Sequence, residues 1–299
     1  MHIVRSKLTR VFDARWAALV LLVFLVGCLA PSSPGQQSSL PVASWFPGNP
    51  KAQALAVAAE HGNVAEIRRL MKDEGVNPDK IFSKDGYPLL AWPVITNNPD
   101  GLKGMLENGA NPNARFPTPI IEKFKDGSES VSYENNAMVF AAKANDPIYL
   151  KLLLDHGGDP NTRNSNSETL MLQAFLSGNE WESVKLLVER GADINARSQG
   201  STILQDYAGG GGFMQAYWLL EKGANPTVNY LQNPATPNQS HIIDAIFWHP
   251  GNPEDPTWQR KCQQWLLQHG YKRTPMPDHL RSMRKNLGFP YEERDVPLL

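Results

Sequence analysis

The chain has 299 residues, is 41% hydrophobic, and carries 29 basic and 30 acidic residues for a formal net charge of −1. That balance leaves no basic stripe, so nucleic acid is excluded as an expected partner. The apolar share suffices for a core, and one elongated domain fits the ordered length because a stacked core grows by addition. At the start of the chain, Arg5, Lys7, Arg10 and Arg15 precede an uncharged run from Trp16 to Val26. Those 11 residues are too short to span a bilayer core comfortably and suit the apolar region of a secretory signal.

The run closes on Leu25-Val26-Gly27-Cys28. This resembles a bacterial lipobox, which implies a lipoprotein signal peptide over 1–27 and a lipidated Cys28 as the mature N-terminus. The other reading is an uncleaved anchor with an incidental Cys28; either way the rest of the chain leaves the cytoplasm. Each buried methylene of an acyl chain contributes about 0.8 kcal/mol, so a multiply acylated Cys binds membrane stably. Residue 29 is Leu rather than Asp, and resemblance to lipoprotein sorting signals then favours the outer membrane and a periplasm-facing domain. Residues 28–50 are rich in Pro, Ser, Gly and Gln and are expected to form a flexible tether. Trp45 and Phe46 within it either pack on the start of the folded domain or meet a partner.

From residue 51 a rhythm sets in. Helical stretches close on Gly75-Val76-Asn77-Pro78, Gly109-Ala110-Asn111-Pro112-Asn113, Gly157-Gly158-Asp159-Pro160-Asn161, Gly191-Ala192-Asp193-Ile194-Asn195 and Gly223-Ala224-Asn225-Pro226, with a degraded copy at Gly270-Tyr271. With two insertions removed, the period is about 33 residues, the signature of a repeat architecture. In one unit Thr169 to Leu176 reads as a short apolar helix, Ser177-Gly178-Asn179 breaks it, and Val184 to Arg190 forms a second helix. Gly191 then takes the left-handed closing position, and the Asp or Asn two residues on can hydrogen-bond the local backbone. His61, His156 and His269 fall at helix ends, where an imidazole can cap carbonyls.

These units resemble ankyrin repeats. The carrying features are the paired helices, the small pairs such as Ala58-Ala59 and Ala141-Ala142, the Leu pairs such as Leu186-Leu187, and the closing Gly-Ala-Asp/Asn. The resemblance implies an all-α solenoid of five to six units at about 51–79, 80–113, 133–161, 164–195, 198–227 and, degenerate, 240–271. The family's Thr-Pro-Leu-His signature is eroded; Tyr87-Pro88-Leu89-Leu90 is its nearest match. Pro93 inside a first helix predicts a shortened or kinked one. The tail 272–299, with a short helix expected over 279–287, should cap the last unit.

The resemblance also implies a partner protein on the concave side, met by the turn tips. Carried over by position, the tip candidates are Lys84, Asp85, Arg163, Asn166, Arg197 and Gln199; solvated loops are the plain alternative. The insertion 116–133 breaks the period and is longer than stacking needs, which is often a functional sign. It adds Phe116, Ile120, Phe124, Lys125 and Tyr133 as candidates, while the pattern around Gly127 also fits a β-hairpin. A second insertion at 230–240 reads as spacing.

Nothing points to catalysis. Gly209 to Gly212 lacks the Lys-Ser/Thr of a phosphate loop and falls at an interhelical turn. His241, Asp244 and His249 are merely close in sequence, and Cys262 shares an apolar helix face with Trp265 and Leu266. No catalytic residue, metal site or cofactor is expected. The chain is expected to be a non-enzymatic, membrane-tethered binding module, monomeric when unbound. It would serve as an immunity protein that neutralises a secreted type VI toxin such as a lipase, or alternatively as an envelope scaffold or stress-related adaptor with a self partner.

Overall fold

The computed structural model describes residues 41–123, 127–228, 241–252 and 255–299. The signal segment 1–27, Cys28, Phe124, Lys125 and the insertion 230–240 lie outside the described residues.

The described residues build a stack of six helix pairs. Helix α1 (Val42–Trp45) leads into the first pair, α2 (Pro50–Glu60) and α3 (Val64–Arg68), the latter continued by a π-helical turn over Arg69–Asp73. The next two pairs are α4 (Trp92–Ile95) with α5 (Pro99–Glu107), and α6 (Ala137–Ala142) with α7 (Ile148–Asp155). Then come α8 (Leu170–Leu176) with α9 (Trp181–Glu189), and α10 (Ile203–Gly209) with α11 (Phe213–Glu221). The last pair is α12 (His241–Trp248) with α13 (Thr257–Gln268), and α14 (Asp278–Asn286) closes the series. The all-helical solenoid expected from the period is the fold; strands β1 (Ile120–Lys123) and β2 (Glu129–Ser132) form its one sheet among the described residues.

Local signals explain the helix ends. Asn49, Asn98, Asn136, Thr169 and Thr202 each stand at an N-cap and accept a backbone N–H from the first turn. The six closing glycines, at 75, 109, 157, 191, 223 and 270, all have φ between +68° and +96°, where a side chain is costly. His61, His156 and His269 place Nδ1 2.8 Å from the carbonyl oxygen four residues back. Pro93 sits at the start of α4, which is a four-residue helix entered through a 3-10 turn over Leu89–Ala91.

Inner helices stack on inner helices, α2 on α4, α4 on α6 and α6 on α8; outer helices do the same from α3 through α5 to α7, and α11 packs on α13. The layers share one core, with Leu55, Ile67, Leu102, Met105, Leu150, Leu153, Leu187, Leu219 and Ile246 fully buried. Small residues set the spacing. A Cβ on Gly101 would sit 1.8 Å from the Ala59 carbonyl oxygen, so α5 lies directly against the main chain of α2. The sixth unit has lost its closing Asn yet keeps both helices. Helix α12 is apolar nearly all round because α10, α13 and α14 pack against it.

Both ends of the described chain are covered in ways that bear on the expected boundaries. The tether was expected to run to residue 50, and its last part is instead folded. Phe46 is 3% exposed, and Trp45 meets Trp92 edge-on at a centroid distance of 5.3 Å. The Gln53 side chain donates to the Phe46 carbonyl at 2.8 Å, and the Lys84 N–H donates to that of Trp45 at 3.1 Å. Burial of two aromatic rings outweighs the Pro- and Ser-rich composition around them. At the other end Met276, Leu280 and Val296 join the core. The Arg273 guanidinium lies 3.7 Å over the Trp248 ring, and Arg284 Nη1 donates to the Trp248 carbonyl at 3.0 Å.

Candidate functional site

The closing motif does more than end helices. Within a unit the Asx side chain accepts the backbone N–H two residues on, as in Asn111 with Asn113, Asp159 with Asn161 and Asp193 with Asn195, at 2.8–3.0 Å. Between units the next polar side chain reaches across. Asp79 accepts from the N–H of Asn111, Asn113 from Asp159, Asn161 from Asp193 and Asn195 from Asn225, at 2.7–2.8 Å. The ladder therefore joins five consecutive units, and it passes the insertion without a break.

Two residues beyond each Asn stands an arginine, and these form a second row. Arg115 Nη2 donates to the Arg163 carbonyl at 2.5 Å, and Arg163 Nη1 donates to the Arg197 carbonyl at 3.0 Å and to that of Ser167 at 2.6 Å. Arg163, a tip candidate, thus braces neighbouring tips and remains solvent-exposed. Arg197 is exposed and also engaged in an interaction. Gln199, at φ +51° on its tip, donates from Nε2 to Glu168 Oε1 at 2.5 Å. The same carboxylate accepts from Asn164 at 2.7 Å and Gln173 at 2.5 Å, so a buried Glu168 ties two tips to helix α8. Asn166 is exposed at the tip of its turn, where its N–H is held by Asn164.

Lys84 and Asp85 are exposed on the tip bridged by Phe82 and Pro88. Phe116 packs edge-on against Phe82 at 5.3 Å, so it fastens the insertion to that tip. The insertion itself is an antiparallel hairpin with Ile120 opposite Ser132 and Ile121 opposite Val131. Ile121 and Val131 are 53% and 54% exposed, and Tyr133 is 42% exposed. Ile120 is half-buried. Phe116 thus joins the tip that carries Lys84 and Asp85, Ile120 and Tyr133 lie at the base of the hairpin, and Arg163, Asn166, Arg197 and Gln199 lie two and three tips further along.

Three residues missed in the sequence sit at the same place. Tyr87 and Phe140, 53 positions apart, meet edge to face at 5.1 Å, and Tyr87 lies 6.0 Å from Trp45. Glu134 lies just past the hairpin and packs against Gly86, whose added Cβ would lie 2.9 Å from Glu134 Cγ. Burial, and then the charge of Asp85, push the Glu134 carboxyl above the usual carboxylate range. Burial, with Glu134 and Asp85, likewise raises the Tyr87 phenol. No local pattern marks such a cluster, because its members come from two units and lie up to 53 positions apart.

The residues with catalytic appeal serve the fold. Gly209 ends α10 and Gly210 to Gly212 form the turn to α11, with Gly211 at φ +77° against the His249 ring. Burial and Arg284 lower the His249 pKa, and its Nδ1 accepts the Gly251 N–H at 3.0 Å. Asp244 is buried and accepts from the Thr274 hydroxyl. Cys262 is buried with Sγ 3.4 Å from the Phe213 carbonyl, and burial pushes its thiol up to about 12. Among the described residues no group of three or more His, Cys, Asp or Glu side chains could hold a metal ion.

Comparison with known proteins agrees with this geometry. The family model for ankyrin repeats, in three copies, matches residues 125–230. No curated protein matches the chain. Among solved structures, the ankyrin repeat domain of Bcl-3, a member of the IkappaB protein family, is 22% identical with a TM-score of 0.50, over 73% of this chain and 86% of that one. The ankyrin repeat protein EF0377 is 19% identical with a TM-score of 0.50, over 74% of this chain and 98% of that one. Paired helices, closing glycines, an interunit Asx ladder and these matches together make this an ankyrin-repeat fold.

Proposed function

We propose that this chain is a non-enzymatic binding protein, tethered by lipid on Cys28 to the bacterial outer membrane and facing the periplasm, that neutralises a secreted type VI toxin such as a lipase by occluding it. The observation that supports binding is the hairpin. The ladder from Asn113 to Asp159 closes the stack across the insertion, so β1 and β2 are not needed to join the units. The hairpin nonetheless holds an apolar pair, Ile121 and Val131, more than half exposed. Exposed apolar surface on a rigid scaffold is a mark of partner contact. The tether and the toxin rest on the lipobox resemblance and on the role that a tethered, rigid binder would suit.

Two measurements test the proposal. Labelling with a radiolabelled fatty acid should mark the wild-type chain and not Cys28→Ala; label retained in the variant overturns the tether. A secreted lipase or other toxin, sought first among the neighbouring genes, should lose activity on stoichiometric addition of the chain, and a chain lacking 120–132 should inhibit at least tenfold less well. An uninhibited toxin overturns the immunity role and favours the envelope scaffold.

A further inference from the structure

We propose that the tip of the second unit and the first turn of α6 form an acidic, aromatic recognition patch that takes a Lys- or Arg-bearing segment of the partner protein. The inference rests on the binding-module reading above and adds the chemistry of what is bound.

Four side chains carry it. Tyr87 and Phe140 are both part-exposed and meet edge to face at 5.1 Å, with an interplanar angle of 77°. In such a contact at least one face of each ring is left unused by the pair, and a cation placed over an aromatic face within about 6 Å of its centroid is attracted by the ring quadrupole. Asp85 and Glu134 supply negative charge beside Tyr87; each is close enough to perturb its phenol. Like charges brought together cost free energy unless a cation compensates. Neither carboxylate forms an ion pair among the described residues, although eleven such pairs involve other acids of the chain.

Of the nearby cations, Arg115 is engaged by main-chain carbonyls, donating to those of Glu134 and Arg163 and not to a carboxylate. Lys143, one turn after Phe140, has its pKa lowered by burial, an effect that the charge of Glu168 in the next unit opposes. Lys84 precedes Asp85 and is exposed. The backbone around the patch is held: Ser83 Oγ accepts the N–H groups of Asp85 and Tyr87 at 3.2 and 3.1 Å. A preorganised pair of carboxylates next to aromatic faces complements an ammonium or guanidinium group of a partner, and an acidic partner would meet repulsion here.

The test uses the 299-residue chain and fluorescein-labelled deca-lysine, with deca-glutamate as the opposite-charge probe, read by fluorescence anisotropy at low and at physiological salt. Asp85→Asn with Glu134→Gln should weaken deca-lysine binding at least tenfold. The same charge change on the outer helix α9, Glu182→Gln with Glu189→Gln, should alter it less than twofold. Tyr87→Leu, checked for an unchanged melting curve, should weaken binding at least threefold. Equal loss in both charge-neutralised chains, or no deca-lysine binding, overturns the patch. In that event the toxin-inhibition assay still stands as a separate reading: inhibition by Asp85→Asn/Glu134→Gln at wild-type strength means that the module binds elsewhere, and no inhibition by the wild-type chain means that the immunity reading has failed.

Discussion

Asn113 clasps the loop that ends at Asp159, 46 residues further on. Its side-chain oxygen accepts the Asp159 N–H at 2.8 Å, and its amide donates to the Gly157 carbonyl at 2.8 Å. The two bonds carry the stack past the hairpin. Both are solvent-exposed, so water replaces part of what is lost on mutation. Asn113→Ala should cost about 1–2 kcal/mol, which for an array of this size lowers the melting temperature by about 2–4 °C per kcal/mol. Asn166→Ala, at an exposed tip, should cost no more than about 0.5 kcal/mol and so melt close to the wild type. Equal melting of the two variants would show that the clasp is incidental.

Gly101→Ala should be far more damaging. The new methyl carbon would lie 1.8 Å from the Ala59 carbonyl oxygen and 3.0 Å from its Cα. Neither is a flexible side-chain end, so α5 must move off α2 and open the first interface. Overpacking of this kind costs about 1–3 kcal/mol or more. Gly209, with open space around its Cβ position, is the control, since its Ala variant introduces no clash. Urea midpoints compare the two, and a Gly101→Ala midpoint equal to that of Gly209→Ala contradicts the close approach.

The period was readable in the chain because each unit must end its outer helix and turn back, and a glycine at positive φ does this best. The same punctuation exposed the insertion, and the spacing about Gly127 was compatible with a hairpin. What the punctuation concealed was its second use: nothing in the spacing says that Asn113 bonds a residue 46 positions away. The tip candidates read as separate loops, whereas Arg163 and Gln199 spend donors on neighbouring units. Tyr87 belongs to one unit and Glu134 and Phe140 to the next, and they become one patch only through stacking. Helix α1 was hidden by composition, since Pro, Ser and Gly around Trp45 and Phe46 describe a tether, and only the rings of Trp92 and Tyr87 show what those residues pack on.

Glu168 offers a third test. Its buried carboxylate accepts from the amides of Asn164, Gln173 and Gln199. Glu168→Ala strands the buried Asn164 and Gln173 amides, and unsatisfied donors make that loss about 2–4 kcal/mol. Glu168→Gln retains one acceptor oxygen and should cost less. Glu182→Ala, at the exposed start of α9, should stay within about 0.5 kcal/mol. Denaturant unfolding ranks the three, and a Glu168→Ala midpoint level with Glu182→Ala would mean that water already satisfies the amides.

Cys262 gives the fourth. Burial holds the thiol protonated, with its pKa pushed up to about 12, while the unfolded chain ionises at an ordinary thiol pKa, about 8.5. The folded state therefore retains a proton that the unfolded state releases. Stability from this group is whole below the unfolded value and falls as pH rises from there towards 12. In a Cys28→Ser background, Cys262 should resist a thiol reagent at about pH 8 in buffer and react fully in guanidinium chloride. Stability measured from about pH 8 to about pH 10 should fall more steeply with Cys262 than with Cys262→Ala. The buried tyrosines titrate in both chains, so the difference isolates the thiol; parallel curves, or rapid labelling of the folded chain, would place the sulfur outside the core.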